Sequence, residues 1–246
     1  MIEIDFPEIY QYALRSQLTY ALTKPGWLIT KQLGWRMNSP NEIHLLEVPE
    51  VDINIIVELD RVQKIQWIAI RGTSNFKNWL EDLDYMEKTY SFKKDREMSI
   101  EFHCGFYQAT EAVFHAIKEH LKKDYQTRIT GHSLGGAIAA ILTFLMTNRN
   151  YLIEQCITFG QPRVTNHKGG EQLCKLPLLR VINQDDIVPT VPFSTLLNWF
   201  KGGYAHFGAE IELDENSYVY FEQHDNHSLK PKFTKYITFI ASYPTK

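Results

Sequence analysis

The sequence predicts an α/β domain built on a mostly parallel central sheet. Three observations lead there. Short apolar runs alternate with segments of helical period. No repeat, low-complexity tract or composition break divides the 246 residues, so one domain over residues 1–246 is expected. Apolar residues make up 44% of the chain and aromatics 13%. A chain of that size buries roughly 70–75% of its unfolded surface and needs no disulfide or metal staple.

The elements follow in order. Residues 6–22 place Ile9, Tyr10, Ala13, Leu14, Leu18 and Ala21 on one helical face. Residues 51–59 and 64–70 read as strands, the second through Ile65, Trp67, Ile68 and Ile70. Residues 88–99 read as a polar, charged loop. Residues 106–123 form a helix with Val113, Phe114, Ile117 and Leu121 as its stripe. A short strand over 126–130 precedes a helix over 134–148 that is rich in Ala, Ile and Leu. Residues 155–159 and 178–183 are further strands. Residues 205–213 and 218–221 flank the turn-like Asp214-Glu215-Asn216 and suggest a hairpin. Phe233, Tyr236, Ile237 and Ile240 fit a closing helix. In such sheets active sites lie at the carboxyl ends of strands.

Composition excludes several functions. A net charge of −3 with 22% charged residues argues against disorder and against a nucleic-acid binder. Cys104, Cys156 and Cys174 are too few and too widely spaced for a zinc motif, and their odd number leaves at least one thiol free. Buried structural thiols are the expectation. Met1-Ile2-Glu3-Ile4-Asp5 shows no signal peptide. The most apolar window, residues 137–146, is shorter than the roughly 20 residues of a membrane span. A soluble protein without a transmembrane segment is expected. Its compartment stays open: cytoplasmic, or secreted with the leader absent from this chain.

Gly131-His132-Ser133-Leu134-Gly135 matches G-x-S-x-G between the strand and the small-residue helix. A nucleophile elbow sets its serine on a strained turn at the top of the sheet. The Leu134 amide, at a helix amino terminus, faces a developing oxyanion there. A serine needs a base, and the base an orienting acid. The chain order of this architecture is serine, acid, histidine. Asp185 and Asp186 compete for the acid role just past residues 178–183. His206, His224 and His227 follow. His206 sits in a strand-like stretch and suits a structural role. His224 and His227 share a polar loop where a base is delivered. Their His-x-x-His spacing has no third metal ligand in view.

Together these residues resemble the fungal-type triacylglycerol lipase family, often called class 3 lipases, over roughly residues 50–240. Arg71-Gly72-Thr73 followed by Asn78-Trp79-Leu80-Glu81-Asp82-Leu83 is similar to the family's oxyanion segment. His103-Cys104-Gly105-Phe106-Tyr107, the elbow, Phe159-Gly160-Gln161-Pro162-Arg163-Val164, Asp186-Ile187-Val188-Pro189 and His227-Ser228 match further motifs in the same order. Thr165 departs from the glycine common in relatives. The resemblance implies an α/β-hydrolase fold with helices on both faces of the sheet. It implies a catalytic triad of Ser133, Asp186 and His227, with Thr73 and Leu134 as oxyanion donors. It leaves Asp82 either to hold the Thr73 hydroxyl or as a plain surface acid. It makes His103 and His132 structural.

The implied activity is that of a serine hydrolase, a lipase or esterase of lipid degradation acting through an acyl-enzyme. Phospholipase A1, galactolipase and other carboxylesterase activities share the fold. No metal or organic cofactor is implied. The expected partner is a lipid or ester substrate, with transient contact at a lipid interface. Phe76, Trp79, Leu80 and Leu83 fall at i, i+3, i+4 and i+7 beside Thr73. They form either a mobile lid over the site or a fixed helix packed on the sheet. The rival classes are a catalytically silent lipid-binding module and a peptidase on the same fold.

Overall fold

The computed structural model describes residues 6–20, 41–72, 89–93, 99–183, 186, 188–190 and 203–213. Helix α1 spans Phe6–Leu18. Strands β1 (Glu42–Val48), β2 (Ile53–Asp60) and β3 (Ile65–Ile70) follow. Next come β4 (Thr89–Lys93), β5 (Ser99–His103) and α2 (Cys104–Ile117). Strand β6 (Gln126–His132) leads into α3 (Leu134–Asn148), and β7 covers Leu152–Phe159. The described chain closes with β8 (Thr165–Asn166), α4 (His167–Leu173), β9 (Leu178–Asn183), β10 (Tyr204–Ala205) and β11 (Ala209–Leu213).

Seven strands form the main sheet in the order β1-β2-β3-β6-β7-β9-β11. The first three are antiparallel, and from β3 onward every neighbouring pair is parallel. The mostly parallel sheet expected from the alternating pattern is therefore present. Its central strands are covered on both sides, which is why β2 and β3 read as near-continuous apolar runs. Helix α1 lays Ile9, Tyr12 and Ala13 against Trp67, Ile157, Phe159 and Val181 on one face. Helices α2 and α3 cover the other face with Val113, Ile138, Ile141 and Leu142. Every residue of α3 from Leu134 to Met146 is buried, as a helix apolar on all sides must be.

A second sheet has the order β10-β8-β5-β4. It corrects the expectation of a loop over residues 88–99. Strands β4 and β5 pair antiparallel, with Tyr90 opposite Phe102 and Phe92 opposite Ile100. Ile100 and Phe102 are fully buried, and Phe102 packs on Phe144. Other boundaries shift as well. Helix α2 begins at Cys104 and gives way to a 3-10 turn over Lys118–His120. The strand expected over 205–213 is split around Gly208. That residue holds φ +83°, and a Cβ there would lie 2.5 Å from the Leu178 carbonyl oxygen. Strand β11 pairs parallel with β9. The second arm of the expected hairpin (218–221) and the closing helix lie outside the described residues.

Candidate active site

The parallel strands end in register. Ile70 of β3 lies opposite Gly131 of β6, His132 lies opposite Phe159 of β7, and Phe159 lies opposite Val181 of β9. Residues just past those ends therefore share one edge of the sheet. They include Gly72, Ser133, Gly160 and Asp186.

Ser133 is the single residue between β6 and α3. Its backbone holds φ +54° and ψ −124°, a strained conformation for any residue with a Cβ. Three backbone hydrogen bonds keep it there. The Ser133 amide donates to the Phe159 carbonyl at 2.9 Å. The Ser133 carbonyl accepts from Gly136 at 2.9 Å and from Ala137 at 3.1 Å. A serine before a helix ordinarily turns its hydroxyl onto the first-turn amides. The Ser133 hydroxyl makes no such cap bond and has no hydrogen bond among the described residues, although the residue is only 3% exposed. The turn is tight enough to demand its glycines. A Cβ on Gly131 would run into Gly135, and one on Gly135 would run into the Ile70 carbonyl.

The residues after β3 reach the same point. A Cβ built on Gly72 would lie 3.6 Å from the Ser133 Cβ. Arg71, just before it, is anchored by its amide on the Asn54 carbonyl at 2.9 Å and by its guanidinium on Asp52 at 2.8 Å. The Gly72 amide donates to the Tyr20 hydroxyl at 3.2 Å, and that hydroxyl lies 3.0 Å from His132 Nδ1. Burial pushes the Tyr20 phenol upward and the His132 imidazole down to about 4, so both are neutral at working pH. The Tyr20 oxygen accepts from Gly72 and is hydrogen-bonded to His132 Nδ1.

Asp186 lies against Gly160. Gly160 holds φ +53°, and a Cβ there would stand 2.5 Å from Asp186 Oδ2 and 3.7 Å from His132 Nε2. The other carboxylate oxygen, Oδ1, accepts from the Val188 amide at 2.9 Å. The Asp186 amide donates to the Asn183 carbonyl at 2.9 Å. Both the backbone and the carboxylate of Asp186 are therefore held close to the end of β9.

The structure thus brings together Ser133, Leu134 and Asp186 of the expected site residues. Thr73, Phe76, Trp79, Leu80, Asp82, Leu83, Asp185, His224 and His227 lie outside the described residues. His206 sits with Nε2 2.7 Å from the Pro189 carbonyl. His103 is 1% exposed, with its ring tilted against that of Phe106. Tyr20 was not legible as a site residue, because its partner His132 lies 112 residues along the chain. Cys104, Cys156 and Cys174 are all unpaired thiols, but only Cys156 is buried as expected, which pushes it up to about 12; Cys104 is half-buried and Cys174 exposed. Among the described residues no three His, Cys, Asp or Glu side chains gather to hold a metal ion. No described helix is long and apolar enough to cross a membrane.

The chain is similar to the lipase of Rhizomucor miehei, 26% identical over 174 residues, or 68% of this chain and 46% of that protein. It is 29% identical over 191 residues to phospholipase A1-Igamma3, chloroplastic, of Arabidopsis thaliana, covering 60% of this chain and 36% of that protein. It spans about half the length, or less, of the curated relatives it matches. Among solved structures, the nonglycosylated LIP2 lipase of Yarrowia lipolytica superposes with a TM-score of 0.72 at 23% identity. The likeness covers 89% of this chain and 83% of that one, and shows the α/β-hydrolase fold. The family model described as "Lipase (class 3)" matches residues 67–196, which run from β3 through the elbow to beyond Asp186. That match takes in more than half of the sequence, and the chain belongs to the class 3 lipase family.

Proposed function

We propose that this protein is a serine carboxylic-ester hydrolase acting on lipid esters. The observation that carries the reading is Ser133, strained at φ +54° between a strand and a helix with its hydroxyl not spent on capping. His227 removes the proton as Ser133 Oγ attacks the ester carbonyl. Asp186 orients His227 and favours the imidazolium that forms. The amides of Thr73 and Leu134 hold the oxyanion, with the Thr73 hydroxyl as a further donor. His227 then gives its proton to the departing alcohol. Water, activated by the same base, cleaves the acyl-enzyme. No cofactor takes part in this scheme.

The preferred substrate class is acylglycerols, in keeping with the relative named a lipase. A phospholipid ester is the second reading, favoured by the relative named a phospholipase A1. Emulsified triacylglycerol and phospholipid vesicles, assayed side by side with wild type and Ser133→Ala, separate the two. Acid release from the triacylglycerol that Ser133→Ala abolishes supports the first reading. Release from the phospholipid alone supports the second. A lid formed by Phe76, Trp79, Leu80 and Leu83 predicts a jump in rate as a triglyceride passes its solubility limit. A smooth saturation curve leaves a fixed helix instead.

A further inference from the structure

His206 contacts the 3-10 turn that follows Asp186. Its Nε2 lies 2.7 Å from the Pro189 carbonyl oxygen. A carbonyl only accepts, so Nε2 carries the proton and donates. Burial, followed by the nearby cation of Arg180 and more weakly that of Arg163, pushes the imidazole down to about 3. The ring therefore stays neutral, and this donor persists, at every working pH.

Both flanks of His206 are fixed to the rest of the fold. Tyr204 and Ala205 pair with Asn166 and Thr165. The Ala205 carbonyl accepts from Val164 at 3.3 Å. The Phe207 carbonyl accepts from Arg180 Nε at 3.2 Å. Gly170 of α4 approaches so closely that a Cβ there would lie 2.8 Å from the His206 carbonyl oxygen. His206 is thus a fixed post. Pro189 belongs to the 3-10 turn Val188–Thr190, whose first two residues are buried. Val188, its first residue, donates to Asp186 Oδ1. The post, the turn and the carboxylate form one chain of contacts. Its far end is Asp186 Oδ2 beside Gly160.

We propose that His206 is a positioning residue for Asp186: its Nε2–H, clamped on the Pro189 carbonyl, holds the Val188–Thr190 turn so that the Val188 amide keeps the carboxylate aimed at the base. The inference rests on the reading of Asp186 as the acid of a Ser133–His227–Asp186 triad. The functional consequence is specific. A displaced carboxylate no longer favours the imidazolium of His227, so the base titrates at lower pH and the transition state loses a partner.

Two variants test it on a soluble chromogenic ester, with rates counted per Ser133 labelled by a reactive phosphonate. His206→Leu fills the space without a donor, and His206→Gln restores an N–H near the Nε2 position. His206→Leu should lower kcat about tenfold, with KM within about twofold. The acid limb of kcat/KM should move to lower pH by about half a unit or more. His206→Gln should recover most of both. Should His206→Leu not fold, His206→Asn is polar but too short to reach Pro189 and should show the same losses. A per-site kcat and acid limb like those of wild type in the donorless variant, whatever its melting temperature, would overturn the positioning role. So would equal losses in His206→Gln and His206→Leu. Ester turnover that survives Ser133→Ala would instead remove the triad reading itself, and the proposal with it.

Discussion

The Tyr20 hydroxyl lies 3.0 Å from His132 Nδ1 while accepting the Gly72 amide at 3.2 Å. One oxygen at the end of α1 thus ties the strand that leads to Thr73 to the residue just before Ser133. The two halves of the proposed oxyanion hole share this support, since Thr73 follows Gly72 and Leu134 follows Ser133.

Tyr20→Phe removes the oxygen and little else. It strands the Gly72 amide and His132 Nδ1. kcat on a soluble ester should fall about tenfold at unchanged KM, the worth of one to two hydrogen bonds. Steady-state kinetics with a matched circular-dichroism spectrum check this. An unchanged kcat would mean that the Tyr20 hydroxyl does not support the oxyanion donors.

Gly160→Ala should be costly in activity for a local reason. Alanine tolerates φ +53° poorly, and its Cβ would stand 2.5 Å from Asp186 Oδ2, so the carboxylate must move. A displacement of about an ångström at a catalytic group costs on the order of 100-fold in rate. Phosphonate labelling of Ser133 should remain detectable, which separates a displaced acid from an unfolded protein.

The elbow was legible because all of it is local. The strand over 126–130, the glycines flanking Ser133 and the small residues of α3 are contiguous in sequence. Each constrains the next. The β4–β5 pairing was hidden because the charged run Lys93 to Glu97 masks the alternation of Tyr90 with Phe92 and of Ile100 with Phe102. Strand β1 had no signal, since it pairs with β2 but leaves most of its side chains only half-buried. Helix α4 carries Gly169 and Gly170, poor helix formers, and is capped by Asn166, whose Oδ1 accepts from Gly169 at 2.8 Å. The supports from Tyr20 and His206 join residues remote in sequence, and no local pattern encodes them.

Backbone strain at Ser133 should be measurable as stability. Ser133→Ala keeps the Cβ and the strained φ of +54°, whereas Ser133→Gly releases it. Such strain costs about 1–3 kcal/mol, partly offset by the greater unfolded-state freedom of glycine. Ser133→Gly should therefore melt about 2–4 °C above Ser133→Ala. Equal melting temperatures would show that the turn stores no strain.

Acid stability follows from the buried imidazoles. His132 is pushed down to about 4 and His206 to about 3, from an unfolded value near 6.5. Between those values the unfolded chain binds more protons than the native one. Their contribution is fully present above about pH 6.5 and is lost progressively below it, the loss levelling off near pH 4 for His132 and near pH 3 for His206. The melting temperature should drop between pH 7.5 and 4.5, and less steeply for His206→Gln than for wild type. Parallel curves would contradict neutral burial of His206.

The proposed role of Ser133 as the nucleophile of an ester hydrolase is open to direct chemical labelling. Stoichiometric inactivation by a p-nitrophenyl phosphonate, followed by mass spectrometry of the labelled peptide, tests it directly. One adduct per chain is expected, on Ser133, formed as ester turnover disappears. Ser133→Ala should form no adduct and lose about 10⁴–10⁶ in kcat. An adduct on another residue, or turnover that persists in Ser133→Ala, would contradict that role.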